Sequence, residues 1–127
     1  MASSSEPRIL VFKADGAIAK GSAVKIGSDK DHVAVSAATT DKHIGIAQNA
    51  AVTAQDKVEV AIPGGGAKGL CQASVSAGMQ LTSHTDGKLK KAAAANDRII
   101  AIAMQDGSAS DLIAVEVQIS QATAVES

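Results

Sequence analysis

Val58-Glu59-Val60-Ala61-Ile62 and Val115-Glu116-Val117-Gln118-Ile119 decide the fold. In each, apolar residues recur at every second position, the signature of a strand with one face buried. Val58, Val60 and Ile62 share one face, and Glu59 lies on the other. The two stretches also resemble each other, and other pairs do the same. Ile18-Ala19-Lys20-Gly21-Ser22-Ala23-Val24, moved by 57 positions, falls on Val75-Ser76-Ala77-Gly78-Met79-Gln80-Leu81, with Gly21 on Gly78. Asp41-Lys42-His43-Ile44-Gly45-Ile46-Ala47, moved by 56, falls on Asp97-Arg98-Ile99-Ile100-Ala101-Ile102-Ala103. Residues 58–62 fall on 115–119 after a move of 57. Three segments in one order at nearly constant offset point to an internal duplication.

Each unit, residues 18–62 and 75–119, reads as four short strands. The first unit places them near Ala23–Ile26, His32–Ser36, His43–Ala47 and Lys57–Ile62. The second places them near Gln80–Thr82, Lys88–Lys91, Ile99–Met104 and Leu112–Ile119. Turn chemistry falls between them at Gly27-Ser28-Asp29, Ala54-Gln55-Asp56, Asp86-Gly87 and Asp106-Gly107-Ser108. Lys88 to Ala95 has high helix propensity. Its repeat counterpart, His32 to Thr39, reads as strand then loop, so a short strand with at most one helical turn before Asp97 is expected. Ile9-Leu10-Val11-Phe12 is a further, wholly apolar strand candidate that ends at the turn Ala14-Asp15-Gly16. Residues 63–74 read as a linker between the units, and residues 1–8 as an extended N-terminal arm. The expected architecture is all-β: a single domain over 9–127, a small barrel or sandwich built from two similar four-strand units.

Composition narrows the function classes. The 127 residues include 26 Ala, one Phe and no Trp or Tyr. So few rings leave little surface for stacking on bases or sugars and predict a thin core. Contacts between subunits, or with a larger surface, are then expected to supply much of the stability. Twelve basic and thirteen acidic residues leave a net charge of -1, which gives no field toward nucleic acid or an anionic membrane. No apolar run approaches the roughly 20 residues of a membrane span, and the first residues do not read as a secretion signal. Neither a nucleic-acid nor a membrane partner is expected.

Candidate chemistry is sparse. The three histidines, His32, His43 and His84, have no HxH or HxxxH spacing, and the repeat partner of His43 is Ile99. Cys71 is the single cysteine and has no adjacent base in sequence, so it reads as an inert thiol. Gly64-Gly65-Gly66-Ala67-Lys68-Gly69 lacks the Gly-Lys-Ser/Thr step of a phosphate loop. Asp29, Asp31, Asp56 and Asp111 sit in turns where a carboxylate bonds the backbone, and Asp41 and Asp97 occupy matching positions. Neither a cofactor, a metal nor a catalytic set is expected, and the chain reads as non-enzymatic. Thr39-Thr40-Asp41-Lys42 resembles the attachment site of lipoyl carrier domains, small all-β folds of two similar halves. A lipoyl- or biotin-type carrier with Lys42 as the modified residue is the alternative reading.

The broader resemblance spans residues 9 to 119. Ile18-Ala19-Lys20-Gly21-Ser22-Ala23-Val24, His43-Ile44-Gly45-Ile46-Ala47-Gln48 and Ala54-Gln55-Asp56-Lys57-Val58-Glu59-Val60 resemble phrases of the small decoration (cement) proteins of tailed-bacteriophage capsids. In the second unit Ala101 stands where Gly45 stands. The resemblance implies a structural virion protein on the outer capsid surface, made in the host cytoplasm, that bridges capsomers and stabilises the expanded head. It implies the major capsid protein as partner, and self-association as a homo-trimer, with a dimer as the other option. The residues expected to touch the capsid are Ser3, Ser4, Ser5, Glu6, Pro7, Arg8, Ile9 and Leu10.

Overall fold

A computed structural model describes residues 8–38, 42–92 and 97–121. Ten strands follow in chain order: β1 Ile9–Ala14, β2 Ala23–Ile26, β3 His32–Val35, β4 His43–Ala47, β5 Lys57–Ala61, β6 Gly66–Leu70, β7 Gln80–Ser83, β8 Leu89–Lys91, β9 Arg98–Ala103 and β10 Leu112–Gln121. Among the described residues there is no helix, and the fold is all-β. The first five strands close into a barrel in the order β1-β3-β2-β4-β5, with β5 returning to β1. The second five form a sheet in the order β6-β10-β9-β7-β8. Replacing each strand of the first unit by its successor five places on reproduces the same circular order.

The segment read as a linker therefore contains a strand. Gly66–Leu70 pairs antiparallel with β10 from Leu112 to Glu116, just as β1 pairs with β5. Each unit has five strands, not four, and β6 is the counterpart of β1. Glycine hid it: a Cβ on Gly69 would strike Cδ1 of Leu89, so the residue that looks like linker chemistry is there to let two strands approach.

Hydrogen bonds confirm the duplication and correct one register. Ile18 and Ala51 exchange bonds of 2.9 and 2.8 Å, and Val75 and Gly107 exchange bonds of 2.9 and 3.1 Å. Gly21 N–H donates to Ala47 at 2.7 Å, and Gly78 N–H donates to Ala103 at 2.7 Å. Ala47, however, pairs with Val60, whereas Ala103 pairs with Val115. The last strands thus correspond at an offset of 55, from 60 to 115, instead of 57. A slip of two residues keeps every side chain on its own face, so alternation alone cannot detect it.

Two cores result. Ala14, Ile18, Val24, Val33, Ala47, Ala51, Val58 and Val60 fill the first barrel, with Phe12 at its margin. The second core holds Leu81, Leu89, Ile100, Ile113, Val115 and Val117, and takes Ala23, Ile46 and Ala61 from the first unit. Small and β-branched side chains suffice because each unit has only five strands and leaves little interior to fill.

The units differ at the seam. In the first, Lys13 N–H donates to Asp31 at 2.8 Å and Asp15 N–H to Val33 at 2.9 Å, which stitches β1 to β3. In the second, β6 meets β8 through a single parallel bridge, Cys71 to Leu89. Leu70 N–H, the counterpart of Lys13 N–H, donates instead to Gly21 of the first unit at 2.9 Å, and Ala23 N–H donates to Gly87 at 2.9 Å. The turn around Gly21 is therefore set into the gap between β6 and β8 of the second sheet. Gly21 has φ +87°, and a Cβ there would lie 2.7 Å from both Leu70 N and Leu112 Cδ2. Its twin Gly78 has φ +88° with nothing within 4 Å of a Cβ.

That matched pair gives a test. Gly78→Ala pays for the left-handed backbone alone and should cost about 1 kcal/mol. Gly21→Ala also wedges the units apart and should cost about 2 kcal/mol more. Urea denaturation of the two variants measures the difference, and equal losses would show that the seam does not hold the units together.

Candidate interaction surface

Of the residues expected to touch a capsid, Ser3, Ser4, Ser5, Glu6 and Pro7 lie outside the described residues. Arg8, Ile9 and Leu10 are described, and all are exposed. Ile62 N–H donates to the Arg8 carbonyl at 2.8 Å, which anchors the start of β1 to the end of β5. Along β1, Ile9 is 38%, Leu10 49% and Val11 61% exposed. Three consecutive aliphatic residues are thus open to water on both faces of one strand. Val11 was not among the expected contact residues, although the unalternating run from Ile9 to Phe12 already carried the signal: an apolar strand without polar alternation has both faces to cover.

The middle of β10 is bonded to the turn beside this strand's root. Gly64 N–H donates to the Val117 carbonyl at 3.1 Å, and Val117 N–H donates to Gly65 at 2.9 Å. A Cβ on Gly64 would sit 3.2 Å from Cδ of Arg8, so that side chain crosses the same turn. Four residues on, Gln121 pairs with Arg98, whose carbonyl lies 3.2 Å from Nε2 of the buried His43. Residues 43, 98 and 121 are thereby grouped at the tail of β10, and Arg8 lies by the Gly64 turn that bonds Val117.

The polar candidates have structural partners. Asp56 accepts from Val52 N–H at 2.9 Å and Thr53 N–H at 3.1 Å. These bonds, Thr53's foremost, hold its carboxyl below the usual range. Asp111 accepts from Ser108 N–H at 2.9 Å, the same turn in the second unit. Cys71 is buried, and burial, with Asp111 nearby, pushes its thiol up and away from nucleophilic form. Gln48 brackets Lys68 of β6 by accepting from its N–H at 3.1 Å and donating to its carbonyl at 3.2 Å, which fixes the former phosphate-loop candidate as strand. Among the described residues no group of three or more His, Cys, Asp or Glu could hold a metal ion. Lys42 is exposed, and residues 39–41 of its motif lie outside the described residues. Its flanking strands β3 and β4 do not pair with each other, because β2 runs between them. Lys42 therefore stands on a crossover, and the hairpin of a lipoyl carrier is not formed there.

His32 makes the best-defined polar contact. Its Nδ1 lies 2.7 Å from Oδ1 of Asp29 and its Nε2 lies 3.0 Å from Oε1 of Gln55. Asp29 chiefly, then Gln55, raises the imidazole pKa, and the bond from His32 lowers that of Asp29. The pair is strongest between the two shifted values. Its His contribution fades as pH rises through the raised pKa, and its Asp contribution fades as pH falls through the lowered one.

The fold so described, two five-stranded β units related by duplication and joined by an inserted turn, is one that other chains share. No protein-family model and no curated protein matches this chain. Among solved structures it is similar to the head fiber gp8.5 N base of bacteriophage phi29, with a TM-score of 0.69 and 13% identity over 90% of this chain and 96% of that one. At that identity the likeness establishes a shared fold.

An NMR titration checks the exposed pair: His32 should titrate above 6.5, and Asp29→Asn should bring its midpoint down toward that value. An unchanged midpoint in the variant would assign the shift elsewhere.

Proposed function

We propose that this protein is a non-enzymatic structural component of a tailed-phage head. It binds the outer surface of the capsid and braces neighbouring capsomers of the expanded shell. The observation that carries the reading is the likeness to a phage head fiber base over nearly the full length of both chains. The exposed aliphatic strand at the root of the arm supports it, because an unprotected apolar strand marks a contact surface. So does the near-neutral charge, which suits a protein placed outside the genome.

In this reading the major capsid protein is the partner, and the contact runs from Ser3 through Leu10. Each contact is small. A shell, however, offers many equivalent sites, and symmetric oligomers would engage several at once, so weak contacts add to firm attachment. The decoration-protein resemblance favours a trimer for that oligomer; a two-fold dimer is the other option.

The test has two parts. Mass spectrometry of purified heads should find the chain among the particle proteins, and its absence would reject the reading. A variant lacking residues 1–8 should keep its fold and oligomeric state, with only the small loss of melting temperature due to the missing Arg8–Ile62 bond, yet bind stripped, expanded heads roughly tenfold or more weakly. Full occupancy by the shortened chain would remove the arm from the contact.

A further inference from the structure

The backbone edge of β1 carries an inference that the head reading does not contain. Even-numbered residues of β1 bond toward β5: Arg8 accepts from Ile62, and Ala14 donates to Asp56. Odd-numbered residues bond toward β3, as Lys13 does to Asp31. But β3 meets β1 only at Lys13 and Ala14. The N–H and C=O groups of Ile9 and Val11 therefore point away from β5 along an edge that has no strand beside it among the described residues. Proteins commonly blunt such an edge with charge, proline or a bulge. Here the open window carries Ile9, Leu10 and Val11, each exposed.

We propose that this edge pairs with the same edge of a second copy, antiparallel across a two-fold axis that passes through Leu10. In that register Ile9 of each copy faces Val11 of the other. Both residues aim their hydrogen-bonding groups outward, so the pairing forms four N–H···O=C bonds. The two Leu10 side chains meet at the axis as a non-hydrogen-bonded pair, the closer of the two kinds. Arg8 of each copy comes opposite Phe12 of the other, which places a guanidinium beside the chain's single aromatic ring. The window is bounded by the chemistry of the sequence. The next outward pair would be Pro7 with Lys13, and Pro7 has no N–H while that of Lys13 is already given to Asp31.

Strand pairing uses the edge and leaves the faces open. The outer face of the paired strands would then hold Ile9 and Val11 from both copies, a doubled aliphatic patch. Three residues per copy make a small contact beside the roughly 800 Å² per partner of a stable interface, so the dimer is weak and reversible.

The experiment needs no capsid, so its outcome is separate from that of the head reading. Sedimentation equilibrium of the full chain should show monomer at low concentration and dimer from roughly 100 μM upward. Val11→Pro removes an outward N–H without touching a bond to β5, and Leu10→Lys sets two charges against each other at the axis. Each should leave the chain monomeric at every concentration with its circular dichroism spectrum unchanged. Should Val11→Pro disturb the fold, Leu10→Lys decides. Register is read by mild oxidation: Leu10→Cys should give a covalent dimer, and Val11→Cys should not. A monomer at all concentrations, a trimer, or a dimer indifferent to Leu10→Lys would overturn the proposal.

Discussion

The carbonyl of Gly21 accepting the amide of Leu70 is the contact on which the arrangement of the molecule depends. It joins the two units where the second is incomplete. Ala23, bonded to Gly87, closes the same gap from its other side, and its side chain lies in the second core. The second unit's interior is thus partly built from the first. Cooperative unfolding of both units as one follows from that sharing, because neither loses its contacts without exposing apolar atoms of the other.

Duplication and divergence can be separated residue by residue. The turns stay alike: Gly21 and Gly78 share a left-handed backbone, as do Gln55 and Ser110. The outer faces do not. Lys13 opposite Lys57 in the first unit corresponds to Leu70 opposite Leu112 in the second. The charged pair faces solvent, and the aliphatic pair flanks the inserted Gly21 turn. Composition at that pair follows which unit receives the insertion.

Much of this was legible in the residues. Alternation at Val58-Glu59-Val60, the twin glycines and the apolar run from Ile9 pointed to the all-β class, the duplication and nine of the ten strands close to their observed bounds. What stayed hidden has physical causes. Gly66–Leu70 reads as linker because close strand approach and loop flexibility call for the same residue. The two-residue register error at β10 is invisible because side-chain period is also two. The exposure of Ile9 and Leu10 at the start of an apolar run could be read locally, but the free backbone edge beside Val11 depends on where β3 stops, a tertiary fact that no local pattern encodes.

The inserted turn also sets a limit. Gly78 repeats the shape of Gly21 but abuts nothing, while the amide that would receive such a turn in the first barrel, that of Lys13, is spent on its own sheet. One end of the tandem thus offers a plug and the other a socket already sealed. A chain with a free plug at one end and an open socket at the other would string into a filament; here the socket is filled, so this junction joins the two units and does not propagate from copy to copy.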